Sequence, residues 1–238
     1  MIGNTNFDSN NYRDKCWNKY YFYTYSKIVD KMMGECLGKT VIDVGTSYGN
    51  WYKFLEKKGF TKVYGIELDT ERASIAEKKG YDKIYNCDAA NVPHPDNSIN
   101  VAVSNDVFVH ILRIEDKLAV IREITRILKP GGIFILNHTM ARAFGYNGYT
   151  VKDYCSYLNL AELIDLLNGE ANLELEDIKP SYFNFRFSTI SVLRQIIRKI
   201  VFIPMGYKLL SFIDDHYARI FSLQEADTIY IKVRKKDE

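Results

Sequence analysis

Val41-Ile42-Asp43-Val44-Gly45-Thr46-Ser47-Tyr48-Gly49 is the stretch on which the reading of this chain turns. A short β-branched run ends in an acid, passes into a small-residue turn and closes on glycine. A helical segment, Asn50 to Lys58, follows and stops at Gly59. Strand, tight turn and helix in this order let a ligand approach the backbone at the strand's carboxyl end, where open α/β sheets bind their ligands. The dinucleotide fingerprint GxGxxG fails here, because Ser47 and Asn50 stand where its second and third glycines belong. Asp43, two residues before the first glycine, suits a ligand bearing a cation or an amino group better than a pyrophosphate.

The pattern continues outward from this unit. Lys62–Ile66, Lys83–Tyr85, Ile99–Val103 and Ile133–Leu136 are short apolar runs of the kind found in buried parallel strands. Between them, Thr70 to Lys79 opens with Thr as N-cap and stops at Gly80. Glu115 to Leu128 carries Leu118, Ile121, Ile124 and Leu128 on one stripe before Pro130-Gly131-Gly132. Alternating strands and helices predict an α/β fold with a doubly wound, mostly parallel sheet. The aromatic-rich first forty residues read as a helix on the sheet's edge. Residues 150–168 read as a helix, 173–178 as a strand, 189–213 as apolar helices interrupted by Pro204 and Gly206, and 228–233 as a final strand. We expect one domain: a helical cap (1–38), a ligand-binding core (39–138) and a substrate-side half (139–238) with a helical insertion at about 186–222.

Bulk composition bounds the function. Across 238 residues, 47% hydrophobic and 26% charged content is that of a globular protein, which excludes collagen-like, coiled-coil and disordered classes. Thirty-two Lys+Arg against 30 Asp+Glu leave +2, too balanced for a nucleic-acid-binding domain. Cys16, Cys36, Cys87 and Cys155 lie far apart with no metal-ligand spacing, so reduced thiols and no metal are expected. The polar N-terminus lacks an apolar signal core, and no apolar run reaches bilayer-spanning length. A cytoplasmic location is the expectation.

Two further strand ends carry acids. An acid at the end of the second strand is the usual holder of a ribose, which assigns Glu67, with Leu68 beside it; Asp69 caps or begins the next helix. After the third strand, Asp88 is placed to accept from an adenine amino group and the Ala89 N–H to meet a ring nitrogen. Three acids at three successive strand ends outline a ligand with a charged tail, a ribose and a base, but no phosphate.

At this point the chain resembles the class I S-adenosylmethionine-dependent methyltransferases, specifically the type-11 methyltransferase-domain family. The resemblance runs over about residues 38–138: the VIDVG strand and turn, Glu67, Asp88-Ala89, Val107-Phe108-Val109-His110-Ile111 and Leu128-Lys129-Pro130-Gly131-Gly132. It implies a seven-stranded Rossmann-like sheet and S-adenosylmethionine as cofactor, with S-adenosylhomocysteine as product. It also implies a cofactor site of Asp43, Gly45, Thr46, Ser47, Gly49, Glu67, Leu68, Asp88, Ala89 and Asn105, with Asn105 and Asp106 facing the sulfonium. Ser47 departs from the family's second glycine; a serine resists positive φ, so a locally different turn is expected there.

Methyl transfer to a hydroxyl needs a base, and a histidine near neutral pKa suits. His110 and His138 follow the fourth and fifth strands and are the two candidates, with neither as a third option; His94 reads as a solvated loop residue. Tyr12 and Tyr20 are placed to shape the pocket near the methionine end. Arg194 and Arg198, four apart on one helix face, are candidate substrate contacts in an insertion that also holds Arg186, Lys199, Lys208 and Arg219. That basic face is open to three readings: an anionic acceptor, an anionic membrane surface, or plain solvation. The acceptor expected is a small molecule methylated on oxygen or nitrogen, such as a nucleotide-linked sugar or a phosphorylated precursor of a surface polysaccharide, with the protein a monomer or dimer. The rivals are a non-catalytic cofactor binder, a nicotinamide-dependent oxidoreductase and an RNA methyltransferase.

Overall fold

The computed structural model describes residues 12–170, 172–183, 196–197 and 199–237. Tyr12–Met33 forms α1, and the strand–turn–helix opening becomes β1 (Thr40–Val44) and α2 (Tyr52–Lys57). There follow β2 (Lys62–Ile66), α3 (Thr70–Glu77), β3 (Lys83–Tyr85), β4 (Ile99–Ser104), α4 (Ile114–Ile127) and β5 (Leu128–Thr139). The later part contains β6 (Thr150–Lys152), β7 (Cys155–Tyr157), α5 (Leu160–Asn168), β8 (Leu173–Ser181), α6 (Gly206–Ile220) and β9 (Thr228–Lys235).

Seven strands form one sheet in the order β3-β2-β1-β4-β5-β9-β8, and β6 pairs with β7 apart from it. Only β9 runs against its neighbours β5 and β8. The order reverses beside β1, which pairs parallel with β2 on one side and β4 on the other. Such a switch point, at the carboxyl ends of β1 and β4, is where open α/β sheets bind their ligands. The sheet is buried on both faces. Ile42, Val44, Ala102, Phe134 and Leu136 pack with Ile121 and Ile124 of α4 and Leu163 and Leu167 of α5. Val41, Val63, Val101, Val103 and Ile135 pack with Val29 and Met33 of α1, Leu55 of α2 and Ala73 and Ala76 of α3.

Several local readings are revised. The cap of α3 is Asp69, whose extended backbone lets its carboxylate accept from Arg72 N at 2.9 Å, so Thr70 lies inside the helix. Pro130-Gly131-Gly132 does not stop α4, which ends at Ile127; it lies within β5 and forms a bulge between the paired residues Leu128 and Ile133. Residues 150–168 are not one helix. Asp153 and Tyr154 both take positive φ (51° and 67°) and close the β6–β7 hairpin. Asn159 then starts α5 with a reciprocal capping box to Glu162. In the insertion, a 3-10 turn (Lys199–Phe202) precedes α6.

Helix α6 is fixed by a buried acid. Asp214 accepts from Ser181 Oγ, from Tyr182 N at 2.6 Å and from the Tyr20 hydroxyl at 3.4 Å. Burial pushes its carboxyl up to about 7. One residue on, Asp215 pairs with Lys27 of α1. Tyr23 and Tyr207 meet edge to face at 5.4 Å, completing the α1–α6 contact.

Candidate active site

The turn after β1 is held at both ends. Gly45 N and Thr46 N donate to Ile66 O at 2.9 and 3.0 Å, and Gly49 N donates to Thr46 O at 2.9 Å. Gly45 and Gly49 adopt φ of 77° and 74°, and Ser47 adopts 49°. Ser47 thus holds a left-handed backbone conformation that a residue with a side chain does not adopt cheaply. What holds it is Glu67: Oε2 accepts from Ser47 N at 2.7 Å while Oε1 accepts from Asp69 N at 3.0 Å. Gly45 also tolerates no side chain, since a Cβ there would lie 2.3 Å from Val107 Cγ2. The first turn is thus wedged against the segment that follows β4.

Beneath this turn, Asp43 is buried and its Oδ2 accepts from the Tyr81 hydroxyl at 2.7 Å. Burial raises its pKa to about 7, against the opposing effect of the Tyr81 bond; the nearby Glu67 raises it further. One of its oxygens is thus committed to the protein. Leu68 projects into solvent at the mouth of the second turn. Asn86 ties that turn to the third by donating to Glu67 O at 2.8 Å and Leu68 O at 3.1 Å. Asp88 is exposed and accepts from Ala90 N at 2.9 Å, which shapes its own turn, and Ala89 is half-buried beside it.

At the end of β4, Asn105 is half-buried and its Nδ2 has no protein partner; nor do the buried hydroxyls of Thr46 and Ser104. Asp106 is locked to β5, its N–H donating to Asn137 Oδ1 at 2.6 Å and its Oδ1 accepting from Asn137 Nδ2 at 2.9 Å. The Tyr25 hydroxyl reaches the same Oδ1 at 3.4 Å. Although Asp106 keeps exposed surface, the protein packed about its carboxyl raises its pKa to about 6. Sequence reading missed Tyr81, Asn137 and Tyr25, none of which is near its partner in the chain.

The other candidates separate. His110 sits on a 3-10 turn (Phe108–His110) with an exposed edge and its Nδ1 3.6 Å from Cys155 Sγ. Crowding of its ring holds its pKa below the ordinary histidine value. His138 is different: β5 extends past it, pairing His138 with Ile229, and the ring is buried. Its Nδ1 donates to Thr139 O at 2.7 Å, and its Nε2 faces Lys117 Nζ at 3.5 Å. Burial and that ammonium depress its pKa to about 3. With both nitrogens engaged inside the protein, His138 is a partner of Lys117 and not a candidate base. Lys117 is fully buried, also donates to Phe108 O, and is pushed down by desolvation to about 7. His94 is no solvated loop residue: its Nδ1 lies 2.6 Å from the Tyr85 hydroxyl and its ring packs on Tyr64.

Tyr20 is fully buried between Trp17 and Asp214 and does not line an open pocket. The Tyr12 side chain, Arg194 and Arg198 lie outside the described residues. Among the described residues, no three His, Cys, Asp or Glu come together as a metal site. A cavity of about 430 Å³ opens past the end of β5, lined by Met140, Arg142, Asn147, Asn159, Leu160 and Gln224 among others. Arg142 is the one charged residue in that lining.

Chemically, the three strand ends with their turns, residues 43–49, 67–69 and 86–91, carry acids and no Lys or Arg. They are unsuited to a phosphate and suited to hydroxyl and amino groups. The Thr46 and Ser104 hydroxyls and Asn105 Nδ2, at the β1 and β4 ends, are enclosed polar groups with no protein partner.

Residues 42–136 match a family described as a methyltransferase domain, of type 11. A protein of Mycolicibacterium smegmatis named as a probable S-adenosylmethionine-dependent methyltransferase is 28% identical over 163 residues, covering 66% of this chain and 61% of that protein. Phosphoethanolamine N-methyltransferase 1 of Arabidopsis thaliana is 30% identical over 119 residues, 48% of this chain and 23% of that protein. The chain thus spans less than two thirds of the length of either curated relative. Among solved structures, the [4+2]-cyclase SpnF superposes with a TM-score of 0.64 at 19% identity, covering 90% of this chain and 81% of that one, a likeness of fold. The acid-tipped ends of β1, β2 and β3, in a seven-stranded sheet with one reversed strand, thus lie within the stretch, residues 42–136, that matches the type-11 methyltransferase domain.

Proposed function

We propose that this protein catalyses methyl transfer from S-adenosylmethionine to an oxygen or nitrogen of a small acceptor bearing a negative charge. The observation that carries the reading is Glu67, whose two carboxylate oxygens hold both the first and the second turn and keep lone pairs for a pair of ligand hydroxyls. S-adenosylmethionine supplies a methyl group on a positively charged sulfur, already activated for in-line displacement. Glu67 would take the ribose and Asp88 with the Ala89 N–H the adenine. The Asp43 oxygen not bonded to Tyr81 would take the amino group, and Asn105, Thr46 and Ser104 the remaining polar contacts.

His110 is the base of this proposal. Its depressed pKa keeps the ring neutral at pH 7, ready to take a proton from an acceptor hydroxyl or ammonium. The acceptor's charge is assigned to Arg142 in the cavity past β5, which has no carboxylate partner among the described residues. Sugar-nucleotide and phosphorylated precursors of surface polysaccharides meet that requirement. So does the phosphoethanolamine in the name of the plant relative.

The test is calorimetric titration with S-adenosylmethionine, S-adenosylhomocysteine and NAD, followed by an acceptor screen for S-adenosylhomocysteine release. Binding of both sulfur compounds and not of NAD, with release on an anionic acceptor lost in Arg142→Ala, supports the proposal; no binding of either sulfur compound ends it. A second reading, a cofactor binder without methyl transfer, is favoured by the burial of His138, which leaves one candidate base where the sequence offered two. Tight binding with no turnover on any acceptor would decide for it.

A further inference from the structure

Helix α6 carries an outer face that its packing role does not explain. Its inner side holds Leu210, Ser211 and Asp214, all buried. Its outer side exposes large apolar side chains: Phe212 (67%), Ile220 (63%) and Leu209 (45%), continued by Met205 (61%) at the residue before the helix. Lys208, His216 and Arg219 are exposed on the same side. At about 100° per residue these seven positions fall within about 120° of the helix circumference. Lys208 and Arg219 lie along one margin, and Leu209 and Ile220 along the other. The 3-10 turn before α6 adds exposed Lys199 and Ile203.

The charge on this face is one-sided. Asp214 is turned inward to Ser181 and Tyr182, and Asp215 is paired with Lys27, so neither acid offsets the outer cations. Lys199, Lys208 and Arg219 have no carboxylate partner among the described residues. A continuous apolar ridge with a cationic margin and no free acid is costly in water. It is the form of a helix that lies in the interface of an anionic bilayer, with apolar side chains below the headgroups and cations level with the phosphates. No described helix is long and apolar enough to cross a membrane, so such contact would be peripheral. A second copy docking through the same patch by a two-fold axis would set like charges against each other.

We propose that the outer face of α6 docks the protein onto anionic lipid surfaces, with Phe212, Leu209, Met205 and Ile220 as the inserted residues and Lys208 and Arg219 as the headgroup contacts. The inference is independent of the methyl acceptor and of turnover. The experiment is flotation of the full chain with vesicles of phosphatidylcholine alone and of phosphatidylcholine mixed with phosphatidylglycerol, at low and raised salt. The expected result is binding to the mixed vesicles, weakened by salt. The pair Lys208→Gln and Arg219→Gln should weaken it about thirtyfold, and Phe212→Glu should abolish it. Unchanged S-adenosylmethionine affinity and melting temperature in these variants show that the fold is intact; Leu209→Glu gives a second apolar test should Phe212→Glu misfold. Three results overturn the proposal: no partition into anionic vesicles, equal partition into neutral ones, or a concentration-dependent dimer in light scattering that Phe212→Glu dissociates.

Discussion

Glu67→Gln replaces one carboxylate oxygen by an NH2 group and changes nothing in size. In this structure it cannot be silent. Both Glu67 oxygens accept backbone N–H groups, from Ser47 at 2.7 Å and from Asp69 at 3.0 Å. Whichever way the glutamine amide turns, its NH2 faces one of those donors and leaves it unsatisfied. Glu67 is only 8% exposed, so water replaces the lost acceptor poorly. A hydrogen bond to a charged group contributes about 1.5–3 kcal/mol, and the variant loses one while weakening the other. The ligand-free protein should therefore unfold with about 2 kcal/mol less free energy, a fall of about 4–8 °C in melting temperature for a chain of this length. The Ser47 side of the clamp matters most, because the serine holds a left-handed backbone that the bond helps to secure. S-adenosylmethionine affinity should drop about thirtyfold or more, since the ribose loses an ionic acceptor as the turn loosens. Differential scanning calorimetry and isothermal titration measure the two effects separately. Wild-type melting together with wild-type affinity would refute the clamp; wild-type melting with weakened affinity would leave Glu67 as a ligand contact alone.

Gly45→Ala adds both a positive-φ penalty and a Cβ 2.3 Å from Val107 Cγ2, so it should cost about 2–4 kcal/mol and suppress cofactor binding. Adding Val107→Ala should restore part of the loss, and no recovery in thermal melts would argue against the contact. His110→Ala should lower kcat by about a hundredfold or more with cofactor affinity intact, whereas His138→Ala should chiefly destabilise the fold, as read by turnover and denaturant titration in parallel. Lys117→Met tests the buried amine through pH. Lys117 falls from its ordinary 10.5 to about 7 in the fold, so between those values the unfolded chain binds a proton that the folded one does not. Stability of the wild type relative to Lys117→Met should rise by about 3–4 kcal/mol from pH 7 to pH 10. A flat difference across that window would show that the lysine titrates normally.

The sheet was legible because β1, β2, β4 and β5 contain short apolar runs rich in branched residues, and α4 was legible from its apolar stripe. The acids at the strand ends were legible for the same reason: topology alone brings successive carboxyl ends together. The residues that hold them were not. Tyr81 reaches Asp43 from 38 positions away, and Tyr25 reaches Asp106 from 81 away, contacts that only tertiary packing creates. His138 was read as lying beyond the fifth strand because the apolar run ends at Leu136; pairing with β9 carries β5 to Thr139 and encloses the ring. The hairpin over 150–157 was missed because Asp153-Tyr154 turns without a glycine, so a tyrosine adopts φ of 67° with no local signal. Tyr20 was placed near the cofactor by its position in an aromatic run, but helical phase points Tyr20 to Asp214 and Tyr25, five residues on, to the strand ends.

The reversed direction of β9 has a consequence for how this architecture can diversify. Because β9 runs against β8, the segment leaving β8 and the segment entering β9 meet at one place, where Ser181 pairs with Thr228 and Asp227 N donates to Ser181 O at 2.9 Å. Everything between those residues, α6 included, is spliced into the sheet through a single two-residue gate. A lineage could lengthen, shorten or exchange that cassette without shifting the register of any strand or touching the turns at residues 45–49, 67–69 and 86–91. Selection on where the protein resides and selection on how it holds its cofactor would then act on separate stretches of the gene.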